Sequence, residues 1–74
     1  NPEELAQLKA IEEIIRKLVH EKLPQKCKII FIMSRIEGLS NHEISKKLNL
    51  SLRTVENQIY RSLKILRKHL EKYL

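Results

Sequence analysis

Apolar side chains along the 74-residue chain recur at helical spacing, and no stretch alternates as a half-buried strand does. The last stretch is the most organised. Val55, Ile59, Leu63, Leu66, Leu70 and Leu74 follow one another at steps of four, four, three, four and four. At roughly 100° per residue they fall within an arc of about 100°, an apolar stripe that must pack on something. On the same wheel Thr54, Asn57, Arg61, Lys64 and Lys68 cluster around the opposite direction. The spacing predicts a long helix over about 52–72, oily on one face and basic on the other.

The preceding chain divides at its turn residues. Residues 1–4 are expected to be a linker remnant, and the chain a piece of a longer protein. Leu5, Leu8, Ile11, Ile15, Leu18 and Val19 predict a first helix over about 4–21, with Glu3 and Glu4 at the positive end of its dipole. Pro24 suits the first turn of a second helix, over about 25–37. That segment is apolar nearly all round, with Ile29, Ile30, Phe31, Ile32 and Met33 in one run. So β-branched a run is also compatible with a strand. A helix buried on most sides is the better fit, because no partner strand is in view. Glu37-Gly38 closes it, Gly38 being free to take the left-handed conformation.

Ser40-Asn41-His42-Glu43 has the capping-box pattern and predicts a short helix over about 41–48, with Ile44 and Leu48 inward. Asn49 tolerates a left-handed turn, Leu50 returns to the core, and Ser51 caps the long helix. A short helix, a turn of about three residues and a helix with one polar face make a helix-turn-helix. The fold class is all-α: a single four-helix domain over residues 5–74, its last helix serving as recognition helix.

Charge sharpens this picture. The net charge of +6 is unevenly placed: residues 1–23 carry −1, residues 24–50 carry +3 and residues 51–74 carry +4. Positive charge grows toward the long helix, as a phosphate-backbone binder requires. With 32% charged residues and no run near the ~20 apolar residues of a spanning helix, a membrane span is not expected. The lone Cys27 beside an apolar run reads as a buried reduced thiol, which favours a cytoplasmic setting.

The run LPQKCKIIFIMSRIEGLSNHEISKKLNLSLRTVENQIYRSLKILRKHL, residues 23–70, resembles region 4 of bacterial sigma factors of the extracytoplasmic-function group. The resemblance rests on the Leu-Pro opening, the segment from Phe31 to Gly38 ending in SRIEG, the LSNHEIS helix and TVENQIYRSLKILRK. It implies a four-helix module that binds the −35 promoter element and contacts the flap of RNA polymerase. An anti-sigma factor is a further partner to expect. The output domains of response regulators and quorum-sensing activators share the LS…EI…LS…TV skeleton, and the Leu-Pro helix with its long apolar run and the uninterrupted basic ending favour the sigma resemblance over them. Two positions depart from the sigma pattern. Ser45 stands where many members have Ala, which is harmless if its hydroxyl bonds back to a carbonyl. Glu56 stands where many carry Lys or Arg, which bears on base preference.

Candidate DNA contacts follow from position. Arg61, at the centre of the polar face, could meet a phosphate or a guanine edge, and Asn57 an adenine. Ser51, Arg53 and Thr54 sit near the positive helix end, with Arg53 and Thr54 suited to phosphate or base contacts rather than to the core. Arg35 and Ser40 could touch the backbone through the preceding turn, although Arg35 could instead pair with Glu37 or Glu43. Glu56 and Gln58 complete the groove-facing set, with Lys64 and Lys68 supplying a diffuse field. Tyr60, between the faces, is expected to pack at the interface. His20, His42 and His69 share no metal-ligand spacing, so no metal or other cofactor is expected. No nucleophile–base pair or Gly-rich phosphate loop supports an enzyme. A module that only binds proteins through its first two helices remains the rival of another class.

Overall fold

The computed structural model describes residues 1–73. It contains four helices, α1 (Pro2–Lys22), α2 (Gln25–Arg35), α3 (Asn41–Leu48) and α4 (Leu52–Leu70), and no strand among the described residues. Helix α1 starts earlier than the sequence suggested. Asn1 Oδ1 accepts from the Glu3 amide at 2.8 Å, and Pro2 occupies the first turn, where its missing N–H costs nothing. Residues 2–4, expected as linker, are therefore helical. The helix stops where Leu23 is held extended by the following Pro24.

Helix α2 is a helix throughout, but it ends at Arg35, two residues short of the expected end. Gly38 takes the left-handed conformation at φ +74°, which lets the Leu39 amide donate to the Met33 carbonyl at 3.0 Å. Helix α4 ends at Leu70 rather than 72, and a turn carries the chain to Tyr73. Leu74, the expected last member of the apolar stripe, lies outside the described residues.

The core forms two clusters that meet on α2. Leu18, Val19 and Leu23 pack with Cys27, Phe31 and Leu66, fastening α1 to α2 and α4. Ile30 and Met33 pack with Ile44, Val55 and Ile59, holding α3 in the angle between α2 and α4. Cys27 is a buried free thiol. Helix α2 is less enclosed than expected, since Ile29 and Ile36 remain exposed. Three neighbouring helices cannot wrap a fourth on every side.

The apolar stripe of α4 is also rotated from the one the spacing suggested. Leu63 is 42% exposed, whereas Ser62 is fully buried. Val55, Ile59, Ser62 and Leu66 are the residues that face the body. Ser62 can occupy the contact because it is small and its hydroxyl is satisfied, donating to the Gln58 carbonyl at 2.8 Å and lying 3.5 Å from the Cys27 carbonyl. A serine at the crossing lets the α2 backbone approach α4 closely, and that approach sets the rotation of the whole helix.

Candidate nucleic-acid interface

The turn before α4 is rigidly built. Ser40 Oγ accepts from the Glu43 amide at 3.1 Å, and Glu43 Oε1 accepts from the Ser40 amide at 2.9 Å, a complete capping box. The Ser40 amide, then its hydroxyl and the nearby His42, hold the Glu43 carboxyl below the usual glutamate range. A carboxylate favoured by folding contributes stability above its unfolded pKa, and that contribution is lost as pH falls through the folded one. Ser40→Ala should therefore reduce stability at neutral pH by the usual cost of a cap, about 1 kcal/mol, read as a lower melting midpoint. The gap between variant and wild type should narrow as pH is taken below the glutamate range. A gap independent of pH would show that the Ser40 hydroxyl acts only on the Glu43 amide and not through the Glu43 carboxylate.

Ser45 is buried where α3 meets its neighbours, and its hydroxyl donates to the His42 carbonyl at 2.7 Å. The hydroxyl is thus accommodated where alanine would otherwise fit. Asn49 takes the left-handed conformation at φ +54°, and the Leu50 amide donates to the Ser45 carbonyl at 2.9 Å. Leu50 and Leu39 then pack against the second cluster, which fixes α3 against α4.

At the start of α4, Ser51 Oγ accepts from the Thr54 amide at 3.0 Å and donates to Thr54 Oγ1 at 2.8 Å. Both hydroxyls are held at the positive end of the helix, where an anion is favoured. Arg53, Glu56, Asn57, Arg61, Lys64 and Lys68 are all exposed, and the exposed Ser40 lies at the start of α3. Of the remaining candidates, Arg35 is exposed but borders a groove between α1 and α2.

Gln58 does not join the polar face. It is half-buried, and its Oε1 accepts from Cys27 Sγ at 3.0 Å, so its amide belongs to the α2–α4 contact. The rotation that buries Ser62 carries Gln58 inward with it. Tyr60 departs the other way: it is exposed rather than packed, with Lys64 Nζ 5.6 Å from its ring centroid. That distance permits a cation–π contact at the surface. Lys46 and Lys47, exposed in the last turn of α3, add positive charge beside the turn. Two adjacent cations on a helix entering the turn were the signal that could have included them. At the far end of α4, burial and then Lys22, Lys72 and Lys68 push the His69 pKa down, which favours its neutral form.

Glu56 is the one acid on this face between Arg53 and Arg61. If it only faces solvent, Glu56→Gln should tighten binding to every DNA equally, by removing one repulsion. If it accepts from cytosine N4 or holds Arg53, the change should relax base preference instead. Affinities of the variant for single-base substitutions of a promoter duplex separate the two, because a uniform shift rules out a role in specificity.

Taken together, a capped short helix, a left-handed turn and a long helix with an exposed basic face define a helix-turn-helix DNA-binding domain. The family model for sigma-70, region 4 matches residues 8–66, most of the chain. The chain belongs to that family, a DNA-binding and regulatory family of transcription initiation rather than an enzymatic one. No curated protein and no solved structure gives a significant match. Among the described residues, no helix is long and apolar enough to cross a membrane.

Proposed function

We propose that this chain recognises the −35 element of bacterial promoters, as the DNA-reading part of an alternative sigma factor of the extracytoplasmic-function type. The observation that carries this reading is the exposed polar face of α4, presented directly after the α3–α4 turn and opposite the buried residues Val55, Ile59 and Leu66. With α4 in the major groove, Ser51, Arg53 and Thr54 meet phosphates at its positive end. Asn57 and Arg61 reach base edges, Glu56 borders them, and Lys64 and Lys68 add a diffuse positive field. Ser40 touches the backbone from the start of α3. The family match favours this reading over the output domain of a response regulator.

The second contact is with RNA polymerase. A groove of about 620 Å³ runs between α1 and α2, lined by Ile15, Val19, Phe31 and Ile32 with Arg16 and Arg35 among its polar members. Its apolar floor suits an amphipathic helix, and the polymerase flap is the occupant we assign to it. An anti-sigma factor competing for the same groove would block the contact.

Fluorescence-anisotropy titration of a −35 duplex tests the DNA contact. For about four phosphate contacts, raising salt from about 50 to about 200 mM should weaken binding roughly 100-fold. Binding insensitive to salt rejects phosphate recognition by α4. No binding at low salt rejects DNA binding and leaves a module that binds only proteins.

A further inference from the structure

The C-terminal ends of α1 and α4 meet. Leu18, Val19 and Leu23 pack with Leu66, and Ile65 and Leu70 close on the same cluster. Lys22, the last residue of α1, follows Leu18 by four residues and so projects on the side that faces α4. There it joins Lys68 and Lys72. Burial, and then Lys22, Lys72 and Lys68, hold the half-buried His69 imidazole toward its neutral form. All three lysines are exposed. Helix dipoles account for a cation at either C-terminus. They do not account for three cations close enough together to disfavour a fourth charge at His69. Such a cluster repels itself until an anion lies across it.

Position identifies the anion. Arg61 and Lys68, seven residues apart, share one side of α4 at about 10 Å along its axis. The last turn tightens, with the Lys72 amide donating to the His69 carbonyl at 3.2 Å, and Lys72 follows one turn after Lys68. Lys22 carries the line across to α1. The line therefore begins inside the face assigned to DNA and runs off its end. The neighbouring acids stand aside from it. Glu71 lines the opposite flank of α4 with Tyr60 and Leu63, and Glu21 lies about 100° round α1 from Lys22. A row of cations continuous with a DNA face fits a further stretch of the same phosphate backbone.

We propose that Lys22 and Lys72, with Lys68, form a second phosphate-binding patch that holds the backbone flanking the −35 element. The patch lengthens the footprint beyond the residues at the start of α4, and two of its three lysines lie outside the set assigned to the groove. It rests on the assignment of α4 to promoter DNA. Its contribution is electrostatic, so it adds affinity and salt dependence without adding base preference.

Anisotropy titrations of two duplexes test the patch, one of about 12 base pairs, roughly one helical turn over the element, and one of about 30 that adds flanking backbone. Lys22→Gln with Lys72→Gln should bind the short duplex as wild type does, which certifies its fold. On the long duplex it should bind more weakly at low salt. That difference should shrink about 10-fold between about 50 and about 200 mM salt, as the loss of two phosphate contacts requires. Lys9→Gln with Lys17→Gln removes as much charge from exposed positions about 140° round α1 from Lys22, and should leave both affinities unchanged. A Lys22 and Lys72 variant equal to wild type on the long duplex overturns the patch, leaves promoter recognition standing and turns the lysines to an acidic protein. An equal loss on both duplexes, or the same loss from the Lys9 and Lys17 pair, also overturns it. Failure of the wild type to bind either duplex overturns the promoter reading and the patch together.

Discussion

Ile44→Ala should lower the melting midpoint by at least about 10 °C. Ile44 is fully buried at the centre of the cluster that joins α3 to α2 and α4, against Ile30, Met33, Val55 and Ile59. Removing its outer carbons loses their burial and leaves a cavity, which together cost about 2–5 kcal/mol. A domain of this size has a total stability on the order of 4–11 kcal/mol, so one such change removes a large share of it. Each kcal/mol is about 4–8 °C for a chain this short. Leu63→Ala provides the contrast. The regular spacing of α4 places Leu63 in the buried stripe, but its side chain is 42% exposed, and its loss should shift the midpoint by no more than a few degrees. Equal losses at Ile44 and Leu63, followed by thermal unfolding, would contradict the rotation of α4 described above.

Arg61→Ala should weaken promoter binding by ~1–3 kcal/mol, roughly 5- to 150-fold, while leaving the fold intact. Arg61 is exposed on the side of α4 away from Val55, Ile59 and Leu66, so its removal opens no cavity. A guanidinium reading a guanine edge loses its energy at one base pair. Titration against single-base variants of the promoter should therefore show the discrimination collapse at one position and persist at the others. An equal loss on every sequence makes Arg61 a phosphate contact, and an unchanged affinity removes it from the interface.

The elements that could be placed from sequence are those with local causes. The capping box at Ser40 and Glu43, the cap at Ser51, the left-handed Gly38 and Asn49, and the stop before Pro24 each act within a few residues. They appear where the residue types require them. Helix ends were less legible. The Asn1 cap extends α1 to Pro2, and α2 and α4 each stop two residues early. Fraying at a terminus depends on competing hydrogen bonds of similar strength, which composition does not rank. Within the candidate interface, Asn57, Arg61, Lys64 and Lys68 are exposed as the wheel suggests, because polar side chains on the far side of a packed helix face water, whereas Thr54 is half-buried beside the Ser51 cap.

Gln58, Ser62, Leu63 and Tyr60 could not be placed in this way. A wheel assigns faces by counting apolar residues, which makes Leu63 core and Ser62 a gap. The packed structure weighs the distance between α2 and α4 instead. The Ser62 position must be small for the helices to meet, and the hydroxyl is satisfied by the Gln58 carbonyl one turn back. Gln58 is then drawn to Cys27, while Leu63 and Tyr60 turn outward.

By itself the sequence determined that this protein is four helices, that a turn joins the third to a basic fourth, and that it resembles a promoter-reading domain. Those conclusions rest on periodicity, on capping chemistry and on net charge, all of them properties of neighbouring residues. Only the tertiary structure decided the rotation of α4, the groove left open between α1 and α2, and the approach of Lys22 to the basic end of α4. Each depends on how closely two helices distant in sequence approach. That distance is set by the shapes of side chains at the crossing, where one serine in place of a leucine turns the entire face.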